Sequence, residues 1–91
     1  MKAFPEGVSR YGGTPEFSDG AIPASLLRSH STKAGTWAKI VVLEGRLRYR
    51  ILEPEPEEIE LSPERPGIVE PEVAHEVEAI GRVRFRVDFY R

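Results

Sequence analysis

Apolar and charged residues alternate along much of the second half of this 91-residue chain. Residues 46–51 place Leu, Tyr and Ile on one face and three arginines on the other, and residues 82–87 repeat the pattern with Val, Phe and Val. A period of two is what a strand with one buried and one solvated face requires, and no stretch has the 3.6-residue period of an amphipathic helix. The sequence therefore predicts an all-β protein.

A first hairpin is predicted in the middle of the chain. Residues 37–43 alternate and stop at Glu44-Gly45, which we interpret as a two-residue turn in which glycine supplies the positive φ. Residues 46–51 would then return beside the first strand. The apolar residues expected on the shared inner face are Ala38, Ile40, Val42, Leu47, Tyr49 and Ile51.

A second hairpin is predicted near the carboxyl end, with residues 79–81 as the turn. This register sets His75 opposite Phe85 inside the fold. Between the hairpins, the prolines of residues 53–56 predict a loop, because proline can neither continue a ladder nor enter a helix interior. With a short strand around residues 59–61, the chain amounts to seven or eight short strands, as in a compact jelly roll.

Length and composition predict a single domain. Ninety-one residues with 40% apolar content close one core only. Residues 1–21, rich in Gly and Pro, are expected to form an amino-terminal arm, and residues 22–91 the β-barrel. The chain has no cysteine, no signal peptide and no apolar run of membrane-spanning length, so we expect a cytoplasmic protein with no membrane partner.

The composition also bears on the source of the protein. Asn, Gln and Cys are absent, the only Met is residue 1, and arginine far outnumbers lysine. Loss of thermolabile residues, charge enrichment and proline in loops are typical of thermophiles. A GC-rich genome would produce part of the same bias.

Two stripes of arginine could suggest binding to nucleic acid. They are Arg46, Arg48, Arg50 and then Arg82, Arg84, Arg86. The net charge is −2, however, and glutamates occupy the neighbouring predicted strands, with Glu76 expected opposite Arg84 and Glu78 opposite Arg82. We therefore expect a solvated, charge-paired surface and no nucleic-acid partner.

The two histidines stand in phrases that resemble the two motifs of cupins. His30 begins the run His-Ser-Thr-Lys-Ala-Gly-Thr-Trp, and His75 follows Gly67 and Pro71. The resemblance implies a small cupin, a double-stranded β-helix (jelly-roll) barrel, in which both motifs converge on one pocket.

Many cupins hold a divalent metal through two histidines and a carboxylate of the first motif and one histidine of the second. The resemblance thus implies one metal ion (Zn, Fe, Ni or Mn) on His30 and His75. The first motif is incomplete, because cupin spacing places its other histidines at residues 31–34 and its carboxylate at Ala38. Candidate third ligands are Glu44, Glu70, Glu72 and Asp88. The alternative is that His75 is a core histidine against Phe85 and that His30 hydrogen-bonds its own loop.

A closer resemblance covers residues 22–91. The phrases His30-x-Thr-Lys-x-Gly-Thr-Trp-x-Lys and Val69-Glu-Pro-x-x-x-His75-x-Val-Glu-Ala, with a terminal Phe-Tyr, are similar to the cupin-like domain of the tellurite-resistance protein B family. The resemblance implies a role in bacterial resistance to tellurite or related oxyanions. Some members fuse this domain to a methyltransferase, and we expect this chain to stand alone without that activity.

Three functions are compatible with these residues. The first is a binding module whose pocket, lined by Trp37, Tyr49 and Phe85 beside the histidines, holds a metal ion or small ligand. The second is a metal-dependent enzyme on a small substrate, although the sequence offers no catalytic residue. The third is a ligand-free interaction module, and a homodimer is expected in every case because a lone barrel of this length has a small core. Regular alternation would instead place Trp37 outside, as an interface anchor.

Overall fold

Two long antiparallel strands form the centre of the fold. The computed structural model describes residues 1–91 and has six strands and one short 3₁₀ turn, which confirms the all-β class. The strands are β1 (Arg10–Gly13), β2 (Phe17–Ser18), β3 (Trp37–Ile51), β4 (Glu57–Leu61), β5 (Gly67–Val69) and β6 (His75–Tyr90), and the 3₁₀ turn covers Ala24–Leu27. No helix has the length and hydrophobicity needed to span a bilayer.

The strands belong to one antiparallel sheet in the order β1-β6-β3-β4. β5 pairs with the first half of β3 and β4 with its second half, while β2 pairs with β6. The sheet ends at β1 and β4, so hydrogen bonding between strands does not close it into the expected barrel. β1 and β2 come from the predicted arm, and they extend the sheet beyond β6.

The predicted hairpin at Glu44-Gly45 is wrong. β3 continues through these residues, and both of its halves pair with β6. Leu43 is left out of the ladder as a bulge, and Gly45 has a φ of 80°. A side chain at residue 45 would collide with the carbonyl oxygen of Arg82. Glycine is needed here because two backbones approach closely at a bulge. A hairpin turn would also need a glycine with positive φ, which is why the sequence alone did not distinguish the two.

The predicted hairpin at residues 79–81 is also wrong, for the same reason. The pairing partner moves from Val83 to Ile80 between Gly45 and Arg46, so residues 81 and 82 bulge out of β6. β6 therefore bends without reversing, and its two halves pair with different parts of β3.

The residues predicted for the inner face remain on the buried side despite this change of register. His75 lies opposite Ile51 instead of Phe85, and Phe85 lies opposite Val42. All six residues expected on the inner face of β3 are buried, as are His75 and Phe85. The alternation is preserved because each bulge changes the pairing but leaves these eight side chains on the buried side.

The outer face is charged and internally paired. Arg48 contacts both Glu58 and Glu78, at 2.9 Å each. The glutamates of β6 face different arginines from those predicted, since Glu76 lies opposite Arg50 and Glu78 opposite Arg48. Opposite charges across a ladder keep this face solvated while the inner face is buried.

The bulge geometry predicts that alanine substitution will destabilise the protein to very different extents at two glycines that both have positive φ. Gly45→Ala should lower the free energy of unfolding by about 3 kcal/mol or more, because it adds a backbone clash to conformational strain. Gly81 has a φ of 64° and open space around its Cα, so Gly81→Ala should cost only about 1–2 kcal/mol. Urea denaturation of both variants measures the difference, and equal losses would contradict the bulge geometry.

Candidate functional site

A cavity of about 340 Å³ lies at the inner face of the sheet. This volume is within the range of small-molecule sites, roughly 300–1,000 Å³. Strands β3, β5 and β6 supply an apolar lining that consists of Ala38, Ile40, Val69, Val77, Phe85, Val87 and Phe89. The rest comes from β1 and the residue after it, the 3₁₀ turn and the loop of residues 30–36, and consists of Tyr11, Thr14, Leu26, His30, Ser31, Thr32, Lys33 and Thr36; His75 completes the lining.

His30 and His75 lie side by side in this lining. The backbone N–H of each residue donates to the carbonyl of the other, at 3.0 and 2.9 Å. His75 begins β6 and is paired with Ile51 on its other side, so the two backbone ladders fix its position. The centroids of the imidazole rings are 4.0 Å apart. The structure thus brings together the two histidines that the sequence singles out, 45 positions apart in the chain.

Both imidazoles have the same tautomer when neutral. Nδ1 of His75 lies 2.9 Å from the carbonyl oxygen of Val73, and Nδ1 of His30 lies 3.1 Å from that of Arg28. A carbonyl oxygen can only accept, so each Nδ1 carries the hydrogen and each Nε2 carries a lone pair. Neither Nε2 has a hydrogen-bond partner within the chain. Each cavity-lining histidine therefore presents an acceptor that is available to a ligand.

His75 is the more deeply placed of the two. It is 4% exposed, and the ring of Tyr49 lies edge-on to it at 5.9 Å. The pKa of His75 is lowered to about 4, mainly by burial; the hydrogen bond to Val73 opposes this shift, and the neighbouring His30 adds to it. His75 is therefore an uncharged acceptor at neutral pH.

The three aromatic residues predicted for the pocket lie in different places. Phe85 lines the cavity. Tyr49 is 1% exposed and donates its hydroxyl to the carbonyl of Ile68, so it supports His75 from outside the cavity lining, and burial raises its pKa. Trp37 packs edge-on against Phe4 at 5.9 Å and is not part of the lining. Trp37 is directed away because the next residue, Ala38, faces the cavity.

None of the candidate third metal ligands joins the histidines. Glu44 accepts from Arg84 at 3.0 Å, and Asp88 is paired with Arg10 at 3.3 Å. No three His, Cys, Asp or Glu side chains come close enough to hold an ion together. Of the positions where cupin spacing expects further ligands, Ser31, Thr32, Lys33 and Ala38 line the cavity and Ala34 does not, and none of them is a histidine or a carboxylate. Two imidazoles do not complete the three-ligand set of an open metal centre.

Sequence reasoning missed the contribution of the amino-terminal segment. Tyr11 lines the cavity, and Arg91 lies over its ring at 4.1 Å in a cation–π contact. Its hydroxyl is 3.5 Å from Oγ1 of Thr36, on the loop that follows His30. The sequence gives no local signal for these contacts, because they depend on β1 pairing with the last residues of β6.

The comparisons with known proteins identify the family and the fold. Residues 13–87 match the TehB-like domain. The chain belongs to the TehB-like domain family. The resemblance to the tellurite-resistance family is thereby confirmed.

Two solved structures have the same fold. TehB from Haemophilus influenzae is 31% identical and superposes with a TM-score of 0.83 over 91% of this chain. The chain spans only 31% of that protein. A protein of Escherichia coli strain K12 superposes with a TM-score of 0.86 over 100% of this chain and 97% of its own, at 23% identity. No curated protein matches the sequence.

The burial of His75 predicts a pH-dependent stability. An unfolded chain takes up a proton on this histidine near pH 6.5, whereas the folded chain does so only near pH 4. As the pH falls through this window the unfolded state binds more protons, so stability should decrease by about 2 kcal/mol from this group alone. Urea denaturation at pH 7 and pH 4.5 should show a smaller decrease in His75→Gln than in the wild type. Equal decreases in the two proteins would contradict a lowered pKa.

Proposed function

We propose that this domain is a cytoplasmic binding module of an oxyanion-stress response, and that it takes a small, largely apolar molecule with a hydrogen-bond donor. The observation that carries the proposal is the pair of cavity-lining histidines whose Nδ1 atoms are bonded to carbonyls and whose Nε2 atoms have no partner. A few polar groups placed in an apolar cavity are typical of sites that orient a small ligand.

The family supplies the biological context of this proposal. Membership of the TehB-like family supports a role in tellurite or related stress. Within the proposal the curved sheet serves as a small cupin, in which one motif from each half of the chain meets at the ligand. The proposal assigns no catalytic residue, and it places Trp37 on the outer surface with Phe4, where it is available as an anchor for a homodimer.

A matched pair of aromatic probes tests the acceptor role of the histidines. 2-Naphthol offers a hydroxyl donor and 2-methoxynaphthalene does not, so the wild type should bind 2-naphthol about tenfold more tightly, as expected for a hydrogen bond in an apolar site. The preference should fall in His30→Phe and in His75→Phe and disappear in the double variant. Calorimetry or fluorescence titration measures the affinities.

Tyr49→Phe is the control for this experiment. It removes a hydroxyl that contacts Ile68, next to His75 but outside the cavity lining, so it should leave the preference for 2-naphthol unchanged. Failure of both probes to bind the wild type would refute the proposed function. Binding of both with equal affinity would refute the role of the histidines.

A divalent metal ion, Zn, Fe, Ni or Mn, is the second candidate ligand. Its support is the 4.0 Å spacing of the rings together with Nδ1–H bonds to carbonyls, an arrangement that commonly orients metal-binding imidazoles. Water or a bound anion would have to supply the remaining ligands, because the chain supplies no third one.

Elemental analysis distinguishes the metal from the organic ligand. Wild type, His30→Ala and His75→Ala would be purified without a tag and measured by inductively coupled plasma mass spectrometry. Because two imidazoles hold an ion weakly, we expect much less than one metal per chain in all three proteins. Near-stoichiometric metal in the wild type, lost in both variants, would make the metal the first candidate.

A further inference from the structure

The cavity differs from the rest of the protein in its charge. The chain contains 15 acidic residues, yet no Asp or Glu lines the cavity. Lys33 is the one lysine or arginine in the lining; it is solvent-exposed and makes no ion pair with any carboxylate of the chain. By contrast, most arginines of the outer face are paired with glutamates. A cavity without carboxylates and with one unpaired ammonium group attracts anions and disfavours cations.

Hydroxyl groups accompany Lys33 in the same loop. Ser31 lines the cavity, and its hydroxyl has no hydrogen-bond partner in the chain. Thr32 instead donates to the carbonyl of Thr36 at 2.8 Å, which closes the loop on itself and holds residues 31 and 33 beside the cavity. An ammonium group and an available hydroxyl together can satisfy two oxygen atoms of a carboxylate or a similar anion.

The position of Lys33 in the sequence also bears on the charge of the ligand. The spacing of a first cupin motif would place a metal-binding histidine at Lys33 or Ala34 and the carboxylate at Ala38. A lysine in this place repels a cation, and an alanine removes the charge that would hold one. The charge of these lining residues therefore favours an anion over a cation.

We infer that the ligand of this cavity is an amphipathic monoanion, whose anionic group binds Lys33 and Ser31 and whose apolar body carries a donor toward His30 and His75. This inference rests on the proposed function and specifies the chemical class of the ligand. The apolar body fills the part of the cavity formed by β3, β5 and β6, and the anionic group stays at the loop of residues 30–36.

Acid and amide forms of one aromatic probe test the inference. The probes are 6-hydroxy-2-naphthoate and 6-hydroxy-2-naphthamide, with the smaller pair 4-hydroxybenzoate and 4-hydroxybenzamide beside them. The wild type should bind each acid about threefold or more tightly than its amide, which is what a solvent-accessible ion pair contributes. Lys33→Gln should abolish this preference, because it weakens the binding of each acid more than the binding of the corresponding amide.

Lys39→Gln is the matched control. Lys39 lies two residues into β3, does not line the cavity and makes no ion pair, so its loss changes the net charge equally. The preference for acids should persist in Lys39→Gln at constant ionic strength. A preference lost equally in both variants would overturn the assignment to Lys33 in favour of the overall charge.

The outcomes separate this inference from the proposed function. Binding of amides and acids with equal affinity would overturn the anionic class of the ligand and leave the small-molecule module intact. Absence of binding by all four probes, together with absence of binding by 2-naphthol, would overturn both.

Discussion

The full-length pairing of β3 with β6 is the interaction on which the rest of the structure depends. β6 carries β1 and β2 on its free edge, and β3 carries β4 and β5 on its own. The pair can bend because bulges on both strands meet at Gly45, where only a glycine permits the close approach to Arg82. Curvature introduced at a bulge lets a single sheet surround a cavity without a hairpin at that point.

The curved sheet separates two kinds of chemistry. Arginines and glutamates pair with each other on the outer face, and apolar side chains fill the inner face. His75, the first residue of β6, lies on the inner side of the sheet, where it is buried between Tyr49 and His30. The carboxylates of the chain are thereby kept out of the cavity, and the few polar groups that line it act on a ligand without competing ion pairs.

Backbone pairing and side-chain identity contribute separately to the cavity. The sheet places both histidine motifs next to each other through the bridge between His30 and His75. Ser31, Thr32, Lys33 and Ala38 line the same cavity and add no imidazole or carboxylate to the two histidines. Backbone pairing fixes where each of these residues lies, and the side chain alone fixes what it can bind.

Much of this protein follows from its sequence. Alternation determined the all-β class, the inner face with Tyr49 and Phe85, and the inward position of His75, because strand side chains alternate between faces whatever partner the strand has. The tertiary structure alone decided that Gly45 lies in a bulge instead of a turn, since both need the same positive φ. It alone placed Tyr11 at the cavity, and it decided between the two positions that the sequence left open for Trp37. Such contacts join distant parts of the chain, and their geometry depends on pairing that no local pattern encodes.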